Sequence, residues 1–164
     1  MTIMGIDPGS RNLGYAIVSL ESSRVKLLEA GVIKNRTTNI NEQIMGIDVG
    51  LEELFGRFPI DEVAVENIFF AHNPKTVLKL AQIRGAILLK ILQRFEDFYE
   101  YSPLEVKRSV VGSGKATKEQ VEFMIRRLLG IKKPIRPFDI SDAMAVAFTH
   151  TQRRKHSSSH QPKS

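Results

Sequence analysis

Residues 3–18, IMGIDPGSRNLGYAIV, constrain the fold more than any other stretch. Ile3, Met4, Gly5 and Ile6 make a short apolar run of the kind that forms a strand buried on both faces. Asp7 ends the run, and Pro8, Gly9 and Ser10 turn the chain. Residues 13–20, LGYAIVSL, resume a strand pattern. A turn this tight predicts an antiparallel hairpin. A carboxylate at the end of a buried strand is costly unless something pairs with it. Two partners stay open: a metal ion, or the hydrogen bonds of an ordinary turn.

Further along, residues 25–33 predict a third strand, closing a meander. A helix follows, with Ile40, Ile44, Ile47, Leu51, Leu54, Phe55 and Phe58 at spacings of three and four, ended by Pro59. Residues 61–66, DEVAVE, alternate as a fourth strand that ends in Glu66. Asn73 then caps a helix with Pro74 at its first position. Its apolar residues, from Val77 to Leu92, nearly encircle it to about residue 95. So wide an arc predicts burial on more than one side, by the sheet and by a second subunit or a neighbouring helix. Residues 97–101 predict a fifth strand. Ser102-Pro103 opens a short helix to about 111, and residues 112–116 form a loop. Thr117 and Gln120 fit a capping box for a helix to about 129. Residues 139–154 predict the last helix, with Ile140, Ala143, Met144, Ala147 and Phe148 on its apolar side.

This order predicts an α/β fold: a mixed five-stranded sheet, built from an antiparallel three-strand meander plus two parallel strands, with helices on both faces. Residues 1–154 are expected to form one domain, and residues 155–164 a disordered polar tail. The length of 164 residues suits one sizeable core. The absence of cysteine excludes disulfides and thiolate metal sites, and fits a reducing compartment. No apolar run reaches membrane-spanning length, so a cytoplasmic protein with no membrane partner is expected.

Charge is unevenly spread. Residues 1–74 hold 6 Lys/Arg against 10 Asp/Glu, whereas residues 75–136 hold 14 against 6. The basic middle suits a polyanion such as nucleic acid, or equally a plain solvated surface.

Sites in open sheets form beyond the carboxyl ends of parallel strands. If the first and fourth strands are parallel neighbours, Asp7 and Glu66 meet there. Asp139 and Asp142, three apart, share a helix face. They also sit where the helix dipole favours ordinary N-terminal acids. Four converging carboxylates without cysteine point to a hard, oxygen-seeking cation such as Mg²⁺. Two such ions in one site can activate a water and stabilise the leaving oxygen of a phosphodiester.

Five blocks in order carry a resemblance: GIDPGSRNLGYAI, VAVENIFFAHNPKT, KLAQIRGAI, VKRSVVGSGKATKEQV and DISDAMAVAFTH. From residue 1 to about 152 the chain resembles the RuvC family of bacterial Holliday-junction resolvases, within the RNase H-like nuclease superfamily. The resemblance implies a homodimer that nicks two strands symmetrically across four-way junction DNA in recombination and repair. It implies two divalent ions, Mg²⁺ or Mn²⁺, and work alongside the RuvA and RuvB branch-migration proteins. It makes Asp7, Glu66 and Asp139 the catalytic, metal-holding acids, with Asp142 beside them; family members vary at the position of Asp139. Lys107 and Lys118 match lysines near the scissile phosphate, and Phe69 matches an aromatic that contacts junction bases. Phe69 and Phe70 follow the fourth strand and precede a helix cap, a place for exposed rings that stack on unpaired bases. Taken without the resemblance, both are better read as core residues.

Two other functions fit parts of the pattern. Asp-x-Gly after a strand also opens the phosphate hairpin of actin- and Hsp70-like ATPases, but those need two such domains and this chain has room for one. A non-catalytic junction-binding module would keep the basic surface and lose the acids, and all four are present.

Overall fold

The computed structural model describes residues 1–67 and 73–158. Its strands and helices follow in the order β1 (Thr2–Asp7), β2 (Asn12–Glu21), β3 (Arg24–Lys34), α1 (Ile40–Arg57), β4 (Glu62–Glu66), α2 (Pro74–Leu92), β5 (Tyr99–Tyr101), α3 (Pro103–Val111), α4 (Lys118–Leu128) and α5 (Phe138–Ser158). The sheet order is β3-β2-β1-β4-β5, antiparallel between β1, β2 and β3 and parallel from β1 through β4 to β5. This is the mixed five-stranded sheet that the strand pattern predicts.

Strand periodicity divides the core into two layers. Met4, Ile6, Leu13, Ile17, Val63 and Val65 point to the face covered by α1 and α2. Ile3, Ala16, Val18 and Ala64 point to the other, covered by α3, α4 and α5. Helix starts are capped: Asn73 and the Thr117–Gln120 box are as expected, and Asn39 and a reciprocal Ser102–Glu105 box add two more.

Three boundaries differ from expectation by more than one residue. α2 ends at Leu92, where the Arg94 N–H bonds to the Ile91 carbonyl three residues back and the last turn departs from the α pattern. β5 begins at Tyr99, because Asp97 Oδ1 accepts the Phe98 N–H in a local turn. α5 continues through Ser158, so residues 155–158 are helical where a disordered tail was expected. Their side chains support the extra turn: the His156 ring pairs with the Gln152 carbonyl at 2.7 Å, and the Ser157 hydroxyl donates to the Arg153 carbonyl. Lys155 and His156 also suit the negative end of the helix dipole.

Within the single chain α2 buries one stripe, Ile83, Ile87 and Ile91, and leaves Leu78, Leu89 and Leu92 exposed. Burial departs from expectation in the last helix. α5 is buried on all sides from Ala143 to Thr151, well beyond the apolar side read from its sequence. Its close seating depends on glycine. A Cβ on Gly5 of β1 would stand 2.8 Å from the Ala147 Cβ and closer still to α5 backbone. The helix therefore lies directly on the middle of the sheet.

Candidate active site

Register places the first acids. β1 and β4 are parallel with Ile6 beside Val65, so Asp7 and Glu66 leave the sheet side by side at its carboxyl edge. Asp7 pairs with Gly14 on the other side, across the β1–β2 ladder. By strand alternation Asp7, Gly14 and Glu66 all belong to the face that carries α5. The start of that helix reaches the same edge, with Asp139 in its first turn and Asp142 one turn further on.

Asp7, Glu66, Lys107, Lys118 and Asp142 line one cavity of about 210 Å³, with Pro103, Val106 and Val121 as its apolar wall. α3 contributes Lys107 and α4 contributes Lys118, so five elements converge here. Lys118 Nζ lies 3.2 Å from Asp142 Oδ2. Asp139 is not among the lining residues, though its charge acts on Asp7 and on Lys118. Phe69 and Phe70 lie outside the described residues. The apolar wall was not foreseen, because nothing in the sequence sets Val106 and Val121 apart from other apolar residues of short helices.

The electrostatics are those of crowded, buried anions. Burial, then the neighbouring Glu66 and Asp142, push the Asp7 carboxyl well above its ordinary range. Burial also raises Glu66, against a hydrogen bond from Asp7 and the attraction of Lys118 and Lys107. Asp142 is raised by burial despite its ion pair with Lys118. For Lys118, burial favours the neutral amine, but Asp142, Asp7 and Asp139 outweigh it and hold the ammonium above the usual range. Two lysines thus face three carboxylates that resist ionising together.

An all-oxygen donor set of this kind fits a hard divalent cation, whose charge would relieve the repulsion. Among the described residues, no three acids or histidines are already gathered closely enough to hold an ion. Asp142 is engaged with Lys118, and Asp7 with Glu66. No described helix is long and apolar enough to cross a membrane.

At the opposite end of β4 lies a second polar cluster that the sequence did not reveal. Glu62 joins His150 and Arg154 of α5, and these meet Tyr99 and Tyr101 of β5. Its members come from residues up to 92 apart in the chain.

Comparison with known proteins follows the same lines. Residues 3–150 match the family described as crossover junction endodeoxyribonuclease RuvC. A relative of that name from Sulfurovum sp. (strain NBC37-1) is 59% identical over 155 residues, covering 94% of this chain and 98% of its own. One from Aliarcobacter butzleri (strain RM4018) is 59% identical over 153 residues, covering 93% of this chain and 99% of its own. Among solved structures, T. thermophilus RuvC in complex with Holliday junction substrate superposes with a TM-score of 0.88 at 33% identity, covering 96% of each chain.

Proposed function

The chain belongs to the RuvC family of crossover junction endodeoxyribonucleases, and from that premise we propose that it nicks four-way DNA junctions at the cavity of Asp7, Glu66 and Asp142. The observation that carries this reading is the convergence of these acids at the edge of the parallel strands, with Lys107 and Lys118 lining the same cavity. Glu66, Asp7 and Asp142 are the residues to hold divalent metal, Mg²⁺ or Mn²⁺, with Asp139 one turn away in the first turn of α5. When bound, two such ions supply an activated water and positive charge for the leaving oxygen of a phosphodiester.

The chain's own groups do the rest. Lys107 and Lys118 give a phosphate a reason to approach a pocket of acids. Val106 and Val121 wall one side with apolar surface, which lowers the local dielectric and strengthens each charge contact. Phe69, and Phe70 beside it, are assigned to stacking on unpaired bases at the junction centre.

Symmetric nicking calls for two such sites related by a two-fold axis. We assign the homodimer contact to the outer face of α1 and α2. Met45, Val49, Leu78 and Leu89 are all about 60% exposed or more there. Junction DNA is the substrate, RuvA and RuvB are the proposed partners, and the cytoplasm, where a cysteine-free chain needs no oxidising environment, is the proposed location.

The test is cleavage of a synthetic four-way junction. Paired nicks are expected with Mg²⁺ and none with a chelator, and linear duplex of the same sequence should remain whole. Metal-independent nicking, or equal cutting of duplex, would refute the assignment.

A further inference from the structure

β4 and α5 run over one another in opposite senses, and polar groups join them at both ends. Glu62, Ala64 and Glu66 share the strand face beneath the helix. Asp142 meets the Glu66 end at the active-site cavity. His150 and Arg154 meet the Glu62 end. Eight helical residues separate Asp142 from His150, or about 12 Å. Four strand residues separate Glu66 from Glu62, or about 13 Å. The spans match, so fixing one end sets the other.

The Glu62 end is held by a fully partnered network. His150 is wholly buried; its Nε2 lies 2.7 Å from Glu62 Oε2, and its Nδ1 lies 2.7 Å from the Tyr101 hydroxyl. A carboxylate only accepts, so Nε2–H donates to Glu62. Burial keeps the imidazole below its ordinary range and hence neutral, so Nδ1 accepts the Tyr101 O–H. Arg154 Nε donates to Glu62 Oε2 at 2.8 Å, and its terminal nitrogen donates to Glu62 Oε1 and to the Tyr99 hydroxyl. Tyr101 also pairs with Glu66 across the β4–β5 ladder. The network thus touches the strand position of a site acid.

We propose that Glu62, His150 and Arg154 are positioning residues that set the axial register of α5 on β4, and so the placement of Asp142 opposite Glu66. This rests on the reading of Asp7, Glu66 and Asp142 as metal-holding acids. Most of the remaining α5–sheet contact is close packing of small residues, Gly5, Ala16, Ala143 and Ala147, with Gly14 against Asp139 at the active-site end. The hydrophobic attraction in it is non-directional. A bidentate Arg–carboxylate pair with a buried imidazole is directional. One residue of slip moves the helix about 1.5 Å, and site groups must be held to within about 0.5 Å.

The experiment measures Mn²⁺ binding to the full-length protein by electron paramagnetic resonance, beside single-turnover nicking and junction binding in chelator. The variants are Glu62→Gln, Arg154→Lys, Asp142→Asn and the Glu62→Gln, Asp142→Asn double. Glu62→Gln is expected to weaken Mn²⁺ binding about tenfold or more and to raise the Mg²⁺ midpoint for nicking by the same factor. Junction binding without metal should stay within about twofold. Arg154→Lys, which can keep one of the two bonds to Glu62, should fall between. In the Asp142→Asn background the Glu62 change should add less than about twofold, because the ligand it places is gone.

A purely structural role would lower the melting temperature and leave Mn²⁺ affinity unchanged, and that result overturns the proposal. An equal effect in both backgrounds also overturns it. If Glu62→Gln does not fold, Arg154→Lys decides by the same readings. Wild-type Mn²⁺ affinity in Asp142→Asn would overturn the site assignment itself, and the positioning role with it.

Discussion

The backbone carbonyl of Asp139 occupies the space into which a Cβ on Gly14 would project, and the Asp139 Cβ itself would stand 3.2 Å from it. Gly14 pairs with Asp7 across β1 and β2, so this close approach seats the start of α5 beside the first acid. Gly14→Ala must push the first turn of α5, and Asp142 with it, off the sheet. Displacement of about 1 Å in such a site costs about a hundredfold in rate, and overpacking costs about 1–3 kcal/mol of stability. Single-turnover nicking should fall by about that factor with junction binding intact. A full nicking rate in a folded Gly14→Ala protein would show that Asp142 does not need this seat.

Asp7→Asn and Glu66→Gln should each abolish nicking while leaving a folded, junction-binding protein. Loss of a metal ligand removes several kcal/mol of transition-state stabilisation, a rate loss on the order of a thousandfold or more. Binding survives, because removing an acid reduces repulsion of phosphate. Near wild-type cleavage by either variant would place the active site elsewhere.

Asp7 also gives a pH signature with a definite sign. Its folded-state pKa is raised above the ordinary 3.8 by burial, Glu66 and Asp142. A carboxyl shifted upward binds its proton more tightly in the folded state. The stability this contributes is fully present below the ordinary value and is lost as pH rises through the folded value. The metal-free protein should therefore lose stability relative to Asp7→Asn as pH climbs from about 4 toward neutrality, with Asp7→Asn melting higher at neutral pH. Glu62 and Glu105, whose pKa values are lowered, act in the opposite sense in both proteins, so they cancel from the difference between the two melting curves, which reports Asp7 together with its coupling to Glu66. Added Mg²⁺ should raise the wild-type melting temperature more than that of the variant. A difference independent of pH would remove the claim that Asp7 is strained by its neighbours.

Much of this arrangement was legible in the chain because local pattern determined it. Apolar runs that stop at Asp7 and at Glu66 mark two strand ends, and Thr117 with Gln120 marks a helix start. The non-local parts were not legible. Ser141, Thr149, His150 and Thr151 read as polar, yet α5 buries them. Thr149 and Thr151 bond to carbonyls of Ala145 and Phe148 in their own helix, whereas His150 is satisfied by Glu62, 88 residues away. Hydropathy carries no trace of such a partner. Nor does the spacing of Asp139 and Asp142 show that Asp142, paired with Lys118, is the one that lines the cavity.

α2 carries more apolar surface than one sheet face can cover, and the excess is placed coherently. Leu78 and Leu89 are eleven residues apart, three helical turns, so they share one side of α2. Met45 and Leu89 line a common groove of about 200 Å³ between α1 and α2. Lys90 braces this groove through ion pairs to Asp48 and Glu52 at 2.9 and 2.7 Å. Covering such side chains is worth about 1.5–3 kcal/mol each, whereas a carboxylate buried there without a partner is strongly unfavourable. Met45→Glu combined with Leu89→Glu should therefore give a monomer at micromolar concentration by light scattering, with the fold retained because both side chains are exposed in the single chain. On a supercoiled plasmid that extrudes a cruciform, the wild type should make paired nicks and yield linear product. The double variant should make single nicks and yield open circles. A double variant that remains dimeric would move the interface off this face, and a monomeric wild type that still linearises the plasmid would remove the need for a dimer.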